Sequence, residues 1–568
     1  MDGTTRGLPL KSIFHFLKIS RLIIFLCSFS PAQWMPNGVP VCDTSANSGF
    51  YMLPEIASDD SGGAYIVWRD GRAGNFDVYA QRIGPDGKTL WTRQGIPLVQ
   101  DSATQWYPRI ISDGRGGAFI AWEDDRSVVH TEIYAQRIDR RGQSLWQLNG
   151  VKVAETPGLF ISLADHEQGG ILVAWNANYG ASNDVVVQRL DSMGNRMWPD
   201  SGVRISSRAG AIYAGDVVAI GDGSGGGYVA WSEGEYQFEK LYMQHIGADG
   251  SLLWPSNGIE VAGGLFEINV GMSPDPAGGA IVSWSNMTSD KEFVQRINPS
   301  GQRLWGSSGL DLGDLTGGGG QSQTGRRHTK DGKGGAFVGH SRWIQRIDST
   351  GSKVWGDEGG TYTTVPSNFS NSIQVHDQKQ GVFNFWTNYG PSPGLTDIYM
   401  QYVDSSGIPR SGPDGTVICA VQRDQDWPDA TTDGRGGAIV VWDDFRNNHG
   451  ALYAAHVNSV GIITSAHRES SDPRPATPHL LQNYPNPFNP RTTIEYEIPE
   501  RGHVRVTIYD SLGKEVSELV DEIQSAGVHN VFWDGRNSQG ERVSTGVYYF
   551  RIVVDDVYQT TRKSVLLK

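Results

Sequence analysis

The segment "YPRIISDGRGGAFIAWED" runs from Tyr107 to Asp124. Two short runs of apolar and β-branched residues flank a glycine-rich turn, which is the pattern of a β-hairpin. After a variable loop, "EIYAQRID" (132–139) reads as a third strand, "RRGQ" as a turn and "SLWQLNGVKVA" (144–154) as a fourth. The unit predicted is a four-stranded meander.

This unit recurs along the chain. "GGAYIVW", "GGAFIAW", "GGILVAW", "GGGYVAW", "GGAIVSW", "GVFNFW" and "GGAIVVW" place tryptophans at 68, 122, 175, 231, 284, 386 and 442, in steps of 54, 53, 56, 53, 102 and 56. The double step contains "GGAFVGH" (334–340), a copy without its tryptophan, so there are eight copies of about 54 residues. One such sheet cannot bury both faces and must pack on its neighbours. At this period the expected fold is all-β, an eight-bladed β-propeller of four-stranded blades, with the tryptophans filling the wedges between blades. The eighth copy lacks its "LW..NG" strand. At the other end of the chain "WMPNGVPVC" (Trp34–Cys42) matches "LWQLNGVKV", "MWPDSGVRI" and "LWPSNGIEV" in register. The N-terminal strand is therefore expected to complete the last blade and leave no free edge.

The domain plan follows from composition. Residues 1–32 read as an export signal: Lys11, Lys18 and Arg21 precede the apolar run "LIIFLCSFS", and Ser30 and Ala32 give small residues for cleavage. The propeller is expected over 33–466, a linker over 467–478 and a small β-sandwich over 479–568. No later run approaches the ~18 apolar residues of a membrane-spanning helix, so none is expected. With 48 Lys and Arg against 62 Asp and Glu the net charge is −14, which would repel a phosphate backbone and argues against nucleic acid. After signal removal Cys42 and Cys419 remain, at matching places on different blades. Packed sheets lie ~10 Å apart, beyond the ~7 Å Cα limit of a disulfide, so the pair is expected to be free.

Three recurring patterns invite functional readings. The DGxGG turns (113–117, 222–226, 331–335 and 433–437) each offer one carboxylate, too few for calcium, and are read as hairpin turns. The Gln-Arg pairs at 81–82, 136–137, 188–189, 295–296 and 345–346 recur around the repeats and are read as structural ion pairs between blades. The third pattern, W-x-D-x-R, occurs only in copies one, two and eight, which adjoin in a ring. It comprises Trp68, Asp70 and Arg72, then Trp122, Asp124 and Arg126, then Trp442, Asp444 and Arg446, and the same loops add Asp77, Asp125, His130, Asp443 and His449. Two readings stand: each Asp-Arg pair staples its own loop, or the sector binds a polar ligand through Asp70, Arg72, Asp124, Arg126, His130, Asp444, Arg446 and His449. The sixth copy lacks the long loop and follows a basic run (Arg326, Arg327, His328, Lys330), read as a solvated charge run on a decayed blade. No metal site is expected.

Two segments resemble known families. "VYAQRIGPDGKTLWTRQG" (78–95) resembles the tryptophan-docking repeat of quinoprotein dehydrogenases, which implies an eight-bladed scaffold. The mature chain lacks the adjacent cysteines many of those enzymes hold over pyrroloquinoline quinone, so no cofactor is expected. After the linker "HRESSDPRPATP", the run "LLQNYPNPFNPRTTIEYEIP", then "HVRVTIYDSLGKEVSEL" and "GVHNVFWDGRNSQGERVSTGVYYFRI", closely resembles the C-terminal sorting domain of type IX secretion cargo. It also resembles the immunoglobulin-like module of flagellar hook-capping proteins. The resemblance implies recognition by the type IX machinery and release at or beyond the surface of a Gram-negative cell. The function expected is non-enzymatic binding of a glycan or surface protein. A secreted polysaccharide-active enzyme, with His130 or His449 beside Asp124 or Asp444, and a structural surface-layer component are the alternatives.

Overall fold

A computed structural model describes residues 34–43, 51–166, 169–178, 183–207, 213–235, 238–262, 264, 267–314, 328–340, 343–357, 359–361, 369–389, 396–412, 414–447, 449–458 and 461–463. Beyond these it describes 478–480, 483, 486, 488, 490–498, 501–524, 527–555 and 557–567. The export signal and nearly all of the linker lie outside the described residues. Every regular element among the described residues is a strand.

Between residues 34 and 463 the described strands form eight four-stranded antiparallel sheets. Seven of them take their strands in chain order. The eighth joins Val39–Asp43 to Ala451–Val457, Ala438–Asp444 and Gln425–Thr432, so the N-terminal strand occupies the fourth place that the sequence of the last copy leaves empty. Each sheet begins with a strand that packs against the first strand of the next, and Gln425–Thr432 of the eighth sheet packs against Glu55–Ser58 of the first. Eight apolar clusters lie between successive sheets. One of them, built on Trp34, Val41, Cys42, Ile56, Trp68 and Val441, joins the eighth sheet to the first.

The repeated residues explain why the sheets stack this way. The strand tryptophan is fully buried in seven copies, and its ring edge lies where a Cβ would sit on the glycine before the fourth strand. At Gly95 that hypothetical atom would lie 2.4 Å from Trp68, and at Gly38 it would lie 2.5 Å from Trp442, both at positive φ. Only glycine fits such a place. The "LW" tryptophan latches the next sheet: Trp146 Nε1 donates to Ser192 O at 3.0 Å, and Trp34 Nε1 donates to Pro85 O at 2.9 Å. The N-terminal strand thus repeats the contacts of the ordinary fourth strand on both of its sides.

The DGxGG turns are held by their own aspartate. Asp113 Oδ1 accepts from the amides of Arg115 and Gly117 at 2.8 and 2.7 Å, and Oδ2 accepts from Arg137 Nη2 at 2.7 Å. Burial pushes the Asp113 carboxyl up, but these donors outweigh it and leave it below its ordinary value. The Gln-Arg reading needs correction here. Arg82 pairs with Asp59, Arg137 with Asp113, Arg296 with Asp275 and Arg346 with Asp331, each within one sheet. The link between sheets is a hydrogen bond from the guanidinium to a neutral backbone carbonyl, as from Arg137 Nη1 to Ser192 O (3.3 Å) and from Arg296 Nη1 to Ser349 O (2.6 Å). Alternation explains it: the third-strand Arg faces the turn of its own hairpin, and only its far nitrogen reaches the next sheet. In the basic run of the sixth copy Lys330 is exposed, as a solvated charge run expects, and His328 is not. His328 is buried between Ser273 Oγ (2.7 Å) and Ser283 Oγ (3.0 Å), and burial holds its pKa down at about 3, while Arg326 and Arg327 lie outside the described residues.

The C-terminal strands form two facing sheets. His479–Leu480, Thr492–Ile498 and Gly527–Trp533 make one, and Glu515–Gln524, Gly502–Asp510, Gly546–Val554 and Tyr558–Leu566 the other. Alternate residues such as Ile494, Tyr496, Val506, Ile508, Phe550 and Ile552 fill the space between them.

Candidate functional site

The three W-x-D-x-R segments fold alike. Trp and Asp sit two apart on a strand and face the same side, so the indole can bond the carboxylate. Trp122 Nε1 donates to Asp124 Oδ2 at 2.8 Å, and Arg126 donates from Nε to Oδ1 (2.8 Å) and from Nη2 to Oδ2 (2.6 Å). The guanidinium lies 3.7 Å from the Tyr134 ring centroid and donates to Asn149 O at 3.0 Å, beside the glycine that opens the fourth strand. Arg446 does the same with Asp444, Tyr453 (3.6 Å) and Asn37 O (2.8 Å), and Arg72 with Asp70, Tyr79 (4.2 Å) and Gln94 O (3.0 Å). The aspartates are fully buried and the arginine side chains about one-fifth exposed, at 20%, 21% and 19%. Each set fastens its loop to the entry of the fourth strand, and the outer edge of the guanidinium is what remains for solvent.

The histidines stand apart from these aspartates. His449 Nε2 lies 2.8 Å from Asp43 Oδ1, and His130 Nε2 lies 3.5 Å from Glu132 Oε1. The two cysteines are buried and free. Arg72 Nη2 approaches Cys42 Sγ at 3.2 Å and Arg446 Nη2 approaches Cys419 Sγ at 3.3 Å, so each thiol packs against the arginine of the next sheet. Burial pushes the Cys42 thiol up to about 12 and raises Cys419 as well. Neither is a nucleophile at neutral pH. The described residues bring no group of three or more His, Cys, Asp or Glu side chains together for a metal ion.

A second feature lies at the same end of the sheets, where the first strands converge. Six of the eight first strands break register near their start: the pairing shifts between Trp106 and Arg109, between Leu159 and Ser162, between Ala214 and Val217, between Ile268 and Gly271, between Ser370 and Ile373, and between Asp426 and Asp429. A non-glycine residue with left-handed φ sits in five of these bulges: Tyr107 (44°), Phe160 (57°), Asn269 (57°), Asn371 (52°) and Trp427 (54°), with Leu53 (50°) at the matching place in the first sheet. Leu53, Tyr107, Asn371 and Trp427 line one cavity of about 60 Å³, together with Pro54, Pro108, Pro428, Glu55, Arg109 and Asp429. Sheets that do not adjoin, the second and the seventh, meet across it.

The cavity wall is polar only where it is braced. Arg109 pairs with Glu55, and Asp429 accepts from the amides of Ile56 and Ala430, both at 2.9 Å. Asn371 Nδ2 donates to Asp426 Oδ1 at 3.1 Å. Behind the wall, residues of the preceding sheet hold the bulges in place. Asp443 accepts from the amides of Met52 (2.8 Å) and Leu53 (3.0 Å), and Glu123 accepts from the amide of Phe160 (2.7 Å). Burial pushes both carboxyls up to about 7. In the first sheet Arg69 takes this place, with its guanidinium 5.4 and 5.7 Å from the rings of Trp106 and Tyr107. The sequence reading missed this site. Its signal is an x-Pro-charged triplet that stands at the start of the first strand only in copies one, two and eight: Leu53-Pro54-Glu55, Tyr107-Pro108-Arg109 and Trp427-Pro428-Asp429.

In the C-terminal sheets Asn483 and Asn486 of "NYPNPFN" are fixed to the last strand. Asn483 Nδ2 donates to Ser564 Oγ at 2.7 Å, Asn486 Nδ2 to Lys563 O at 3.0 Å, and the Val565 amide to Asn486 Oδ1 at 2.8 Å. Phe488 bridges to Leu566 and enters the core. Residues 490–556 match the FlgD Ig-like domain. The match begins two residues before the Thr492–Ile498 strand and ends past Gly546–Val554, so it spans both facing sheets except His479–Leu480, the last strand and the asparagine segment bound to that strand. No curated protein matches the chain. Solved structures resemble it more distantly. A protein of unknown function from Dyadobacter fermentans DSM 18053 is 10% identical, over 77% of this chain and 100% of its own, at a TM-score of 0.38. A Penicillium chrysogenum alpha-L-arabinanase is 9% identical over 75% and 99%, at 0.35, and a PL25 ulvan lyase 12% identical over 77% and 97%, at 0.37. Likeness of that size carries no argument about a site or a reaction.

Proposed function

We propose that the chain is an exported binding protein. Residues 33–466 act as an eight-bladed propeller that offers the face of blades eight, one and two to a ligand, and residues 479–568 direct type IX secretion to or beyond the surface of a Gram-negative cell. The observation that carries the binding reading is the cavity where the first strands converge. It is walled by the exposed Tyr107, the half-buried Trp427 and three buried prolines, and three of the sheets that wall it are the ones that bear the W-x-D-x-R staples. Apolar walls with a few fixed polar groups are the ordinary make of a binding site, and at about 60 Å³ this one takes a single small part of a larger ligand lying on the face. For secretion, the support is the resemblance of the C-terminal segment and the anchoring of Asn483 and Asn486 to the last strand. The residues named from the sequence, Asp70, Arg72, Asp124, Arg126, Asp444 and Arg446, build the rim of this face in the proposal, with His130 and His449 on the outer loops.

The test is retention of the full mature chain on arrays of glycans and of bacterial surface proteins, beside its expression with and without residues 479–568 in a host that has the type IX machinery. The proposal expects a retained ligand and export that depends on the C-terminal segment. Absence of any retained ligand together with strong self-association would instead identify a structural surface component.

A further inference from the structure

The reading of the propeller as a binding scaffold can be taken one step further, to the chemistry of the ligand. We infer that the cavity between Tyr107 and Trp427 is a carbohydrate site for a neutral sugar unit, and this inference rests on that reading. A sugar ring presents an apolar face of C–H groups and an edge of hydroxyls, so it needs aromatic surface open to solvent beside polar groups already fixed in direction. Tyr107 is 43% exposed at the cavity, Trp427 faces it from the eighth sheet, and Pro54, Pro108 and Pro428 supply the apolar wall between them. Glu55, Arg109, Asp429 and Asn371 are the polar lining, each braced by a partner. Such groups bind hydroxyls without first having to be ordered.

The backbone points to the same place. A bulky residue in the left-handed region costs about 1–3 kcal/mol and persists where surroundings hold it, often at a functional site. Asparagine tolerates that conformation, and it occupies the bulge at 269 and 371. In the three sheets that carry the x-Pro-charged triplet the same place holds Leu53, Tyr107 and Trp427 instead. Asparagine also reaches the cavity, as Asn371, and Phe160 holds this backbone away from it, so the strained residues that matter to the site are the two aromatics that line it, Tyr107 and Trp427. The charge of the lining selects against acidic sugars. Arg109, the cation of the lining, is matched by Glu55, and Asp429 adds a negative charge. A uronate or sulfate would meet like charge here.

The asparagines also supply the variants, because Tyr107→Asn and Trp427→Asn copy what the other sheets already hold. The full mature chain would be titrated calorimetrically with neutral gluco-, xylo-, arabino- and manno-oligosaccharides and with oligogalacturonate, at low and high salt. The expected result is binding of a neutral oligosaccharide that changes less than twofold with salt. Each substitution should weaken it at least tenfold while leaving the unfolding temperature unchanged. Tighter binding of oligogalacturonate overturns the neutral class. Neutral binding that survives both substitutions overturns the site but leaves the scaffold reading intact, as does binding of a surface protein with no oligosaccharide bound. Retention of nothing, with self-association, overturns both.

Discussion

At the scale of single residues the chain spends its charged groups on fixing loops. The Asp124 carboxylate takes hydrogen bonds from Trp122 Nε1, from the Arg126 amide and from the guanidinium, and it is fully buried. Removing it leaves an indole N–H and a mostly buried guanidinium without their acceptor, which is the costly way to break an ion pair. Asp124→Ala should therefore lower stability by about 3 kcal/mol in a denaturant titration. Glu132→Ala, whose carboxylate pairs with Lys152 and His130 nearer the surface, should cost about 1 kcal/mol or less. Equal losses would show that the staple holds nothing. This arrangement was half legible in the sequence. Two-residue spacing on a strand puts Trp and Asp on one side, and Asp beside Arg invites a pair, so the staple reading was available from spacing alone. What spacing could not give is the tyrosine under each guanidinium, or the Asn37, Gln94 and Asn149 carbonyls above it, because those come from other strands.

At the scale of elements the first strand of each sheet carries the new feature. A bulge leaves no mark in hydrophobic alternation, since it is defined by the partner strand. Only the x-Pro triplets hinted at it. The left-handed turn at Leu53, before the first strand of the first sheet, and the bulge of the third sheet are clamped by Asp443 and Glu123, whose carboxyls burial raises to about 7. The groups facing Asp443 are the amides of Met52 and Leu53, the Asp426 carboxylate, which raises it further, and Arg69, which lowers it. Glu123 faces the Phe160 amide and Arg109, which lower it, and Asp125, which raises it. A carboxyl raised in the folded chain holds its proton where the unfolded chain, with an ordinary value near 4, has lost it. Stability from these groups is thus greatest below about pH 4 and falls as pH rises to about 7, by at most about 1.4 kcal/mol per pH unit for each group. Asp443→Asn should flatten that slope between pH 4 and 7 when unfolding is followed by tryptophan fluorescence. An unchanged slope would mean that Asp443 ionises at its ordinary value despite its burial.

At the scale of the whole molecule the question is what holds the last sheet to the first. The repeat count, the wedge tryptophans and the displaced strand were all readable because each is a local pattern that recurs. The cavity was not, because it arises only when four first strands from distant parts of the chain converge. Val39–Asp43 gives the eighth sheet its outer strand, and its neighbour Trp34 latches onto Pro85 of the first sheet and stacks on His456 of the eighth at 5.7 Å. Val41 and Cys42 are fully buried in the cluster shared by the two sheets, and Asp443 of the eighth sheet clamps Met52 and Leu53 of the first. Deleting residues 33–42 removes that shared core and leaves Ala451–Val457 as an open edge. Each sheet is held chiefly by its two neighbours, as in other repeat arrays, so the loss should be felt first at the eighth sheet. The truncated chain should unfold at a lower temperature than the full mature chain, and limited proteolysis should cut first between 425 and 457. A separate synthetic peptide of residues 33–43 should restore the protection. If the truncated chain melts with the parent and resists the protease equally, the N-terminal strand is an ornament and the first and eighth sheets hold each other through Asp443 and the first-strand contacts alone.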